Sequence, residues 1–436
     1  VDLIQFLPSF GNLAFTLIAF IVAISIIVAV HEYGHYIVGR WSGIDAEVFS
    51  LGFGPVLFSR VDRRGTRWQF AALPFGGYVK FLGDANPASV GGARGGARNT
   101  MLGAPLWARA ATVAAGPVFN FLFSFLIFAA LLMSAGRPTV PMTVAEIRAL
   151  PERYEVGLQP GDEILAVGGV ELEDGLLPED LPHSEVLDYR VRRDGAETVV
   201  EAPYPVLPIL ASITPNSAAM DAGLRSGDIV TAIDGREIWS FQQIYDAVVA
   251  SEGRTLDLAI WRDGETFDVS VAPRRADLPL PEGGFETRWL LGATSDLFFT
   301  PATESPSLLQ ALWGGVAQVW FIITSSLSGL WHVVTGAIST CNLSGPVGIA
   351  ETSGAMASQG TVSFLWFLAV ISTAVGFLNL FPIPVLDGGH LMFHLWEGIT
   401  GRMPSDGALR VLMAAGLAVV LTLMVFALAN DLFLCP

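Results

Sequence analysis

Residues 26–39 read IIVAVHEYGHYIVG, and inside that apolar stretch stand His31, Glu32 and His35. On a helix, His-Glu-x-x-His puts both imidazoles on one face, one turn apart. That is the spacing of two ligands to tetrahedral Zn²⁺, with the glutamate beside the metal as general base. An ionised carboxylate deep in a membrane helix costs about 2.5–3.5 kcal/mol even on the lenient insertion scale, so such a cluster marks a functional site. Catalytic zinc takes a third protein ligand and keeps one position open for water. Donors elsewhere in the apolar runs are His332, Asp387, His390, His394 and, at a border, Glu351. Asp387 is the expected third ligand. It lies in NLFPIPVLDGGH, residues 379–390, whose prolines and glycines make irregular backbone that is tolerated at lipid depth only when buried in protein or lining a cavity. His390 and His394 are also four apart, but no glutamate separates them, and packing or hydrogen bonding on a helix face is their expected role.

The elements that hold these residues are membrane helices. The chain has 436 residues, 52% hydrophobic and 15% charged, where a soluble chain carries about a quarter charged. Charge-free runs cover Leu3–Val30, Ala110–Gly136, Ser305–Ala350 (apart from His332), Thr352–Leu386 and Val411–Asn430. Each can cross a hydrocarbon core of about 30 Å, which takes roughly 20 residues. Residues 137–304 differ: they hold 30 of the 41 acidic and 13 of the 24 basic residues, an excess equal to the whole net charge of −17. A solvated acidic domain is therefore inserted between spans, and its sign excludes a nucleic-acid partner. Arg40, Arg60, Arg63, Arg64, Arg67, Lys80, Arg94, Arg98 and Arg109 lie between the first two runs, so that loop is expected in the cytoplasm and the acidic domain on the outer side. Asp2 stands where a signal peptide would be basic, so the first run is expected to be a retained helix. The only cysteines are Cys341 and Cys435; both fall on the outer side, where a bridge between them is chemically possible, and two unpaired apolar residues are the favoured expectation.

AEVFSLGFGPVLFSR and RWQFAALPFGGYVKF alternate around VDRRGT and predict a β-hairpin, lipid-like enough to dip into the membrane. A Gly-rich loop over 86–100 follows. The acidic region repeats itself, EVGLQPGDEILAVGGVEL at 155–172 and DAGLRSGDIVTAIDGREI at 221–238. With FQQIYDAVVAS as a helix and TLDLAIWRDGETFDVSVAP as a hairpin, the second copy resembles a PDZ domain, and two PDZ-like domains in tandem are expected. In the first copy the acidic stretch ELEDGLLPEDLPHSE, 171–185, replaces the start of the helix. Such domains bind peptide ends by strand addition or simply obstruct access to the membrane core.

HEYGH, GFGP, PFGGYVK, AAGPVFNF, the tandem PDZ insertion, LSGPVGIA and NLFPIPVLDGGH together resemble the site-2 protease family, most closely its bacterial regulator-of-sigma-E (RseP-type) branch. The resemblance implies one zinc per chain on His31, His35 and Asp387, with Glu32 as base. It also implies substrate-handling roles for Asn379, Pro382 and Pro384, and a substrate clamp at Gly52, Phe53, Gly54, Phe75, Gly76 and Gly77. Substrates would be single-pass membrane proteins already trimmed outside, such as an anti-sigma factor, or remnant signal peptides. The site would lie in a bacterial inner membrane with the PDZ region periplasmic.

A parity argument fixes the crossings without the family. His31 lies about 19 residues into a helix that starts near Asn12, roughly 28 Å from the outer surface and in the cytoplasmic half. For Asp387 to reach that depth its helix, about 362–382, must begin outside, so residues 311–338 cross zero or two times. A helix along the outer interface is expected there, suited by Trp313, Trp320 and Trp331. The fold class is thus a multi-pass α-helical membrane protein with four crossings, a membrane-dipping β-hairpin and tandem PDZ-like domains between crossings 2 and 3. Expected boundaries are a first membrane helix at 1–40, hairpin and loop at 41–102, a second membrane helix at 103–136, and PDZ-like domains at 137–206 and 207–275. A linker at 276–304, an apolar surface helix region at 305–355, a third membrane helix with the aspartate motif at 356–403 and a fourth at 404–436 complete the layout. The rival readings are an inactive membrane-anchored PDZ scaffold, which would be expected to have lost one of the four site residues, and a metal transporter, which would not need Glu32.

Overall fold

The computed structural model describes residues 7–83, 97–172, 177, 181–214, 217–279 and 285–434. The expectations for residues 1–6, for most of the Gly-rich loop and for 173–176 and 178–180 of the acidic stretch lie outside these residues. In order come α1 (Leu7–Trp41), β1 (Ala46–Val61), β2 (Arg67–Phe81) and α2 (Leu106–Ala135), then a strand-rich stretch with α3 (Ala218–Asp221) and α4 (Phe241–Ala250). There follow α5 (Leu308–Val334), α6 (Pro346–Ser358), α7 (Thr361–Asn379), α8 (Asp387–Thr400) and α9 (Asp406–Ala429). They form two units: the long helices and α6 and α8 with β1 and β2, and residues 132–308, which include α3 and α4, with 335–342.

In the helical unit small residues bring backbones together, as they do in membranes generally. A Cβ on Gly34 of α1 would lie 2.5 Å from the Ala115 carbonyl oxygen of α2, and one on Gly354 of α6 would lie 2.4 Å from Thr16 Oγ1. Polar side chains then bond across the helices. Ser124 donates to the Ala369 carbonyl at 2.8 Å, and Ser372 donates to that of Asn120 at 3.2 Å. Arg109, buried at the start of α2, makes a two-pronged ion pair with Glu397 of α8 at 3.0 and 2.7 Å. Asp431, past the end of α9, accepts from the backbone N–H groups of Gly345, Val347 and Gly348 at 2.8–3.0 Å, filling the N-terminus of α6. LSGPVGIA is therefore an N-terminal anchor for that helix.

The expected hairpin is a folded sheet. β1 and β2 pair near their turn, Val61 with Arg67 and Phe58 with Phe70, and again at their far ends, Ala46 with Phe81 and Leu51 with Gly77. Residues 48–51 also have partners at 67–70, the two numbers ascending together. The spatial order is 77–81, 46–51, 67–70, 58–61, so each long strand doubles over. The bends need glycine: φ is +88° at Gly52, and a Cβ there would lie 2.8 Å from the carbonyl oxygens of Ala71 and Leu73. Alternation in sequence sets which face a residue takes, not which segment it pairs with.

The strand-rich unit holds two sheets built alike. One orders residues 299–301, 142–147, 163–167, 187–193 and 196–202; the other orders 236–237, 229–233, 256–262 and 265–271. The Gly-Asp of each sequence repeat does the same work. Asp162 accepts from the backbone N–H of Gln159 at 2.8 Å and from Arg193 twice at 2.7 Å. Asp228 accepts from that of Arg225 at 2.7 Å and from Arg262 at 2.6 and 2.7 Å. Residues 276–304 are not a bare linker. Strands at 274–279 and 285–290 pair together, 293–294 pairs with 212–213, 299–301 joins the first sheet and 303–304 pairs with 137–138. These partners are distant in sequence, which local patterning does not reveal.

Among the described residues, five helices are long and apolar enough to cross a membrane: α1, α2, α5, α7, and the stretch from α9 to Leu434. α5 is the helix expected on the surface. Asp387 does not end the helix before it: α7 stops at Asn379, and Asp387 opens α8. Cys341 is disulfide-bonded, against the expectation of a free thiol; Cys435 lies outside the described residues.

Burial raises the Asp162 carboxyl, but the Arg193 guanidinium and the Gln159 N–H outweigh it and hold the group below the usual range. A depressed folded pKa gives stability that is complete above the unfolded value, about 3.9, and is lost as pH falls through the folded one. Hydrogen-exchange protection of residues 163–167 and 187–202 should therefore be flat near neutral pH and fall below about pH 4. Asp162→Ala should lower it at neutral pH by about 2 kcal/mol, since the Gln159 N–H and Arg193 both lose their acceptor.

Candidate metal centre

His31 and His35 are one turn apart on α1 because nothing interrupts that helix between Leu7 and Trp41. Asp387 reaches them through the irregular stretch Leu380–Leu386. There a Cβ on Gly388 would lie 2.3 Å from the carbonyl oxygens of Leu380 and Phe381, and one on Gly389 2.3 Å from that of Ile383. The two glycines after the aspartate thus let α8 start directly beneath its own lead-in loop. Pro384 of that loop rests against Gly416 of α9.

One atom from each of His31, His35 and Asp387 falls within 4.8 Å of the others. His31 Nε2 is 3.1 Å and His35 Nε2 3.5 Å from Asp387 Oδ2, and the two Nε2 atoms are 3.2 Å apart. Asp387 Oδ2 is buried without a hydrogen-bond donor, and a buried carboxylate oxygen in that condition is costly unless a cation meets it. The far side of each imidazole is occupied. His35 Nδ1 is 2.8 Å from the Thr112 carbonyl oxygen, to which it donates, leaving Nε2 as a lone pair. His31 Nδ1 faces the Asn120 amide at 3.3 Å, while Asn120 Oδ1 is buried and unpartnered. Turning that amide over puts Oδ1 on a protonated His31 Nδ1 and satisfies both groups. Two imidazole nitrogens and a carboxylate oxygen, oriented from behind, fit Zn²⁺.

Glu32 sits beside the group, against the sheet edge: a Cβ on Gly77 would lie 3.2 Å from Glu32 Cγ, and the Val79 backbone lends Glu32 a hydrogen bond. Among the other expected residues, Gly76 carries the Phe53 ring, whose Cε2 a Cβ would meet at 2.4 Å, and Gly52 and Gly54 form the neighbouring bend. The Phe75 side chain is outside what is described. Asn379 caps its own helix side, donating to the Val375 carbonyl at 3.0 Å, and Pro382 and Pro384 shape the loop rather than joining the metal group. His390 is exposed, and His394 is buried with Nδ1 unpartnered; neither joins the group.

Three residues of α2 have no role in the sequence reading: Thr112, Gly116 and Asn120. A Cβ on Gly116 would lie 2.3 Å from His35 Nε2 and 2.8 Å from His31 Cε1, so only glycine admits both rings. AAGPVFNF carried that signal, but nothing local ties it to α1. Asn120→Ala should weaken zinc binding about tenfold in chelator competition on the full chain. Gly116→Val should abolish stoichiometric zinc while helical content persists.

Comparison with known proteins agrees with this geometry. The model of peptidase family M50 matches residues 19–423. A protein of Agrobacterium fabrum named as a zinc metalloprotease is 34% identical over 432 residues, covering 97% of each chain. One of Rhizobium meliloti with the same description is 36% identical over 432 residues, again 97% of each. The regulator of sigma-E protease RseP of Salmonella typhimurium is 31% identical over 455 residues, 96% of this chain and 99% of its own. The chain belongs to peptidase family M50, the site-2 type of zinc metalloendopeptidase.

Proposed function

We propose that His31, His35 and Asp387 hold one zinc ion per chain and that Glu32 is the general base for hydrolysis of peptide bonds within or near transmembrane helices. The observation that carries this reading is the convergence of the three ligand atoms within 4.8 Å, with Glu32 on the same helix beside them. Zinc, when bound, polarises the scissile carbonyl and acidifies water. Glu32 takes the proton from the attacking water and delivers it to the departing amide nitrogen. Thr112 and Asn120 keep the histidines turned to the site.

A transmembrane helix must unwind before it is cut, since its peptide groups are hydrogen-bonded to one another. Segment 77–81 pairs with 46–51 on one side only and lies next to Glu32. An extended substrate adding to that edge replaces the lost helical bonds at the place of attack. Gly52–Gly54 and Phe75–Gly77 form the bends that hold this edge, and Asn379 at the end of α7, with Pro382 and Pro384 of the loop after it, is assigned to handling the substrate strand. The substrates are single-pass membrane proteins trimmed outside, such as an anti-sigma factor, in keeping with the name of the Salmonella relative, or remnant signal peptides.

The chain crosses a bacterial inner membrane four times, with the active site in the cytoplasmic half and both repeat domains, read as PDZ domains that filter or bind substrate ends, in the periplasm. The basic loop between the first two spans supports this orientation. α5 lies at the outer interface although long enough to span. The residues before it and Thr335–Asn342 after it belong to the same unit, and the Ser339 N–H donates to Asp277 of that unit at 3.0 Å.

Glu32→Gln should keep zinc and fold yet yield no fragments when co-expressed with a trimmed single-pass substrate that the wild type cleaves. Full cleavage by that variant would sink the assignment. Asp387→Ala should lose the metal.

A further inference from the structure

The turn between β1 and β2 carries arginines that proteolysis does not use. Other described arginines of this region are committed: Arg40 near the end of α1 pairs with Asp45, Arg98 donates to the Ser42 carbonyl and Arg109 near the start of α2 pairs with Glu397. Arg60, Arg63, Arg64 and Arg67 are exposed, and among the described residues their guanidinium groups have no ion pair or hydrogen bond. The turn's own carboxylate faces inward. Asp62 accepts from the backbone N–H groups of Arg64 and Thr66 at 2.8 and 3.0 Å, from the Trp68 indole at 3.0 Å and from the Tyr36 hydroxyl at 3.3 Å.

The sheet also fixes the depth of this turn. Its far end, Leu51 paired with Gly77, lies against Val28 and Glu32 of α1, whereas the turn is tied to Tyr36. Counted from residue 12, Tyr36 is about 36 Å along the helix, past a hydrocarbon core of about 30 Å. Trp41 at the end of α1 and Trp107 at the start of α2, 73% and 62% exposed, flank the loop between the two helices, as interfacial tryptophans do. Level with the Leu51–Gly77 pair, or farther from the turn, Val56, Leu57, Phe58, Phe70 and Leu73 are exposed. The strands thus run from apolar side chains at hydrocarbon depth to four unpaired cations at head-group depth.

We propose that this turn binds the phosphodiester groups of anionic phospholipids in the adjoining leaflet. Guanidinium forks suit phosphate oxygens, and a bilayer presents them at the depth where the arginines end. The contact anchors the sheet whose edge lies beside Glu32.

The test is electron paramagnetic resonance of the full chain in phosphatidylcholine bilayers containing spin-labelled phosphatidylglycerol or spin-labelled phosphatidylcholine. The ratio of their association with the protein should favour phosphatidylglycerol about fivefold, the order of one arginine near an anionic surface. It should shrink as salt rises from about 0.05 to about 0.5 M. Arg63→Gln with Arg64→Gln should at least halve the ratio. Adding Arg60→Gln and Arg67→Gln should bring it near one with zinc content unchanged, which shows the fold intact. Replacing chloride by inorganic phosphate at equal ionic strength should leave the wild-type ratio as it was. A wild-type ratio near one, a ratio unmoved in both arginine variants, or loss of selectivity in phosphate, which would assign the turn to a soluble anion, would each overturn the proposal.

Discussion

A polar group held at membrane depth has no water to turn to and must be satisfied from within the chain. The helical unit obeys this constraint almost throughout. Serine hydroxyls answer carbonyls between α2 and α7, Arg109 and Glu397 neutralise each other, and the outer nitrogens of both histidines find partners on α2. Asn120 Oδ1, Ser353 Oγ, His394 Nδ1 and Asp387 Oδ2 are buried without a hydrogen-bond partner. Of these, Asp387 Oδ2 is the carboxylate oxygen that lies against two imidazole nitrogens, where a cation would satisfy it.

The same constraint explains the sheet. Irregular backbone beside a membrane helix is tolerated when its amides are paired or face a protein-lined cavity. Doubling each strand gives 46–51 and 67–70 neighbours on both sides and leaves 77–81 open where Glu32 stands. The exposed edge of a sheet is ordinarily a liability for aggregation; of the two outer segments here, 77–81 and 58–61, the first lies beside Glu32, where the proposed substrate strand would add. Glycine at the bends serves this arrangement.

Much of the centre is legible in sequence because its signals are local. His31, Glu32 and His35 lie within one helical turn or so, and Asp387 is announced by the prolines and glycines around it. The repeated Gly-Asp is likewise local, and the structure supplies its reason in the buried Asp162 and Asp228. What escaped the sequence depends on distant partners. Gly116 and Asn120 matter only because α1 packs against α2, the strands of 274–304 complete sheets begun far earlier, and the doubling of β1 and β2 depends on which segments pair, which the glycines that interrupt the alternation do not specify. α5 shows the limit most plainly, since hydropathy measures whether a helix could cross and says nothing of where its ends are held.

Gly116 has a wider meaning for the centre. Its missing side chain lets the rings of α1 lie against α2, and the Thr112 carbonyl that orients His35 sits one turn away on that same helix. The two Nε2 lone pairs therefore converge only while the pair of helices stays in register. A metal held by these rings would depend on the contact between the two helices as well as on the ligands themselves.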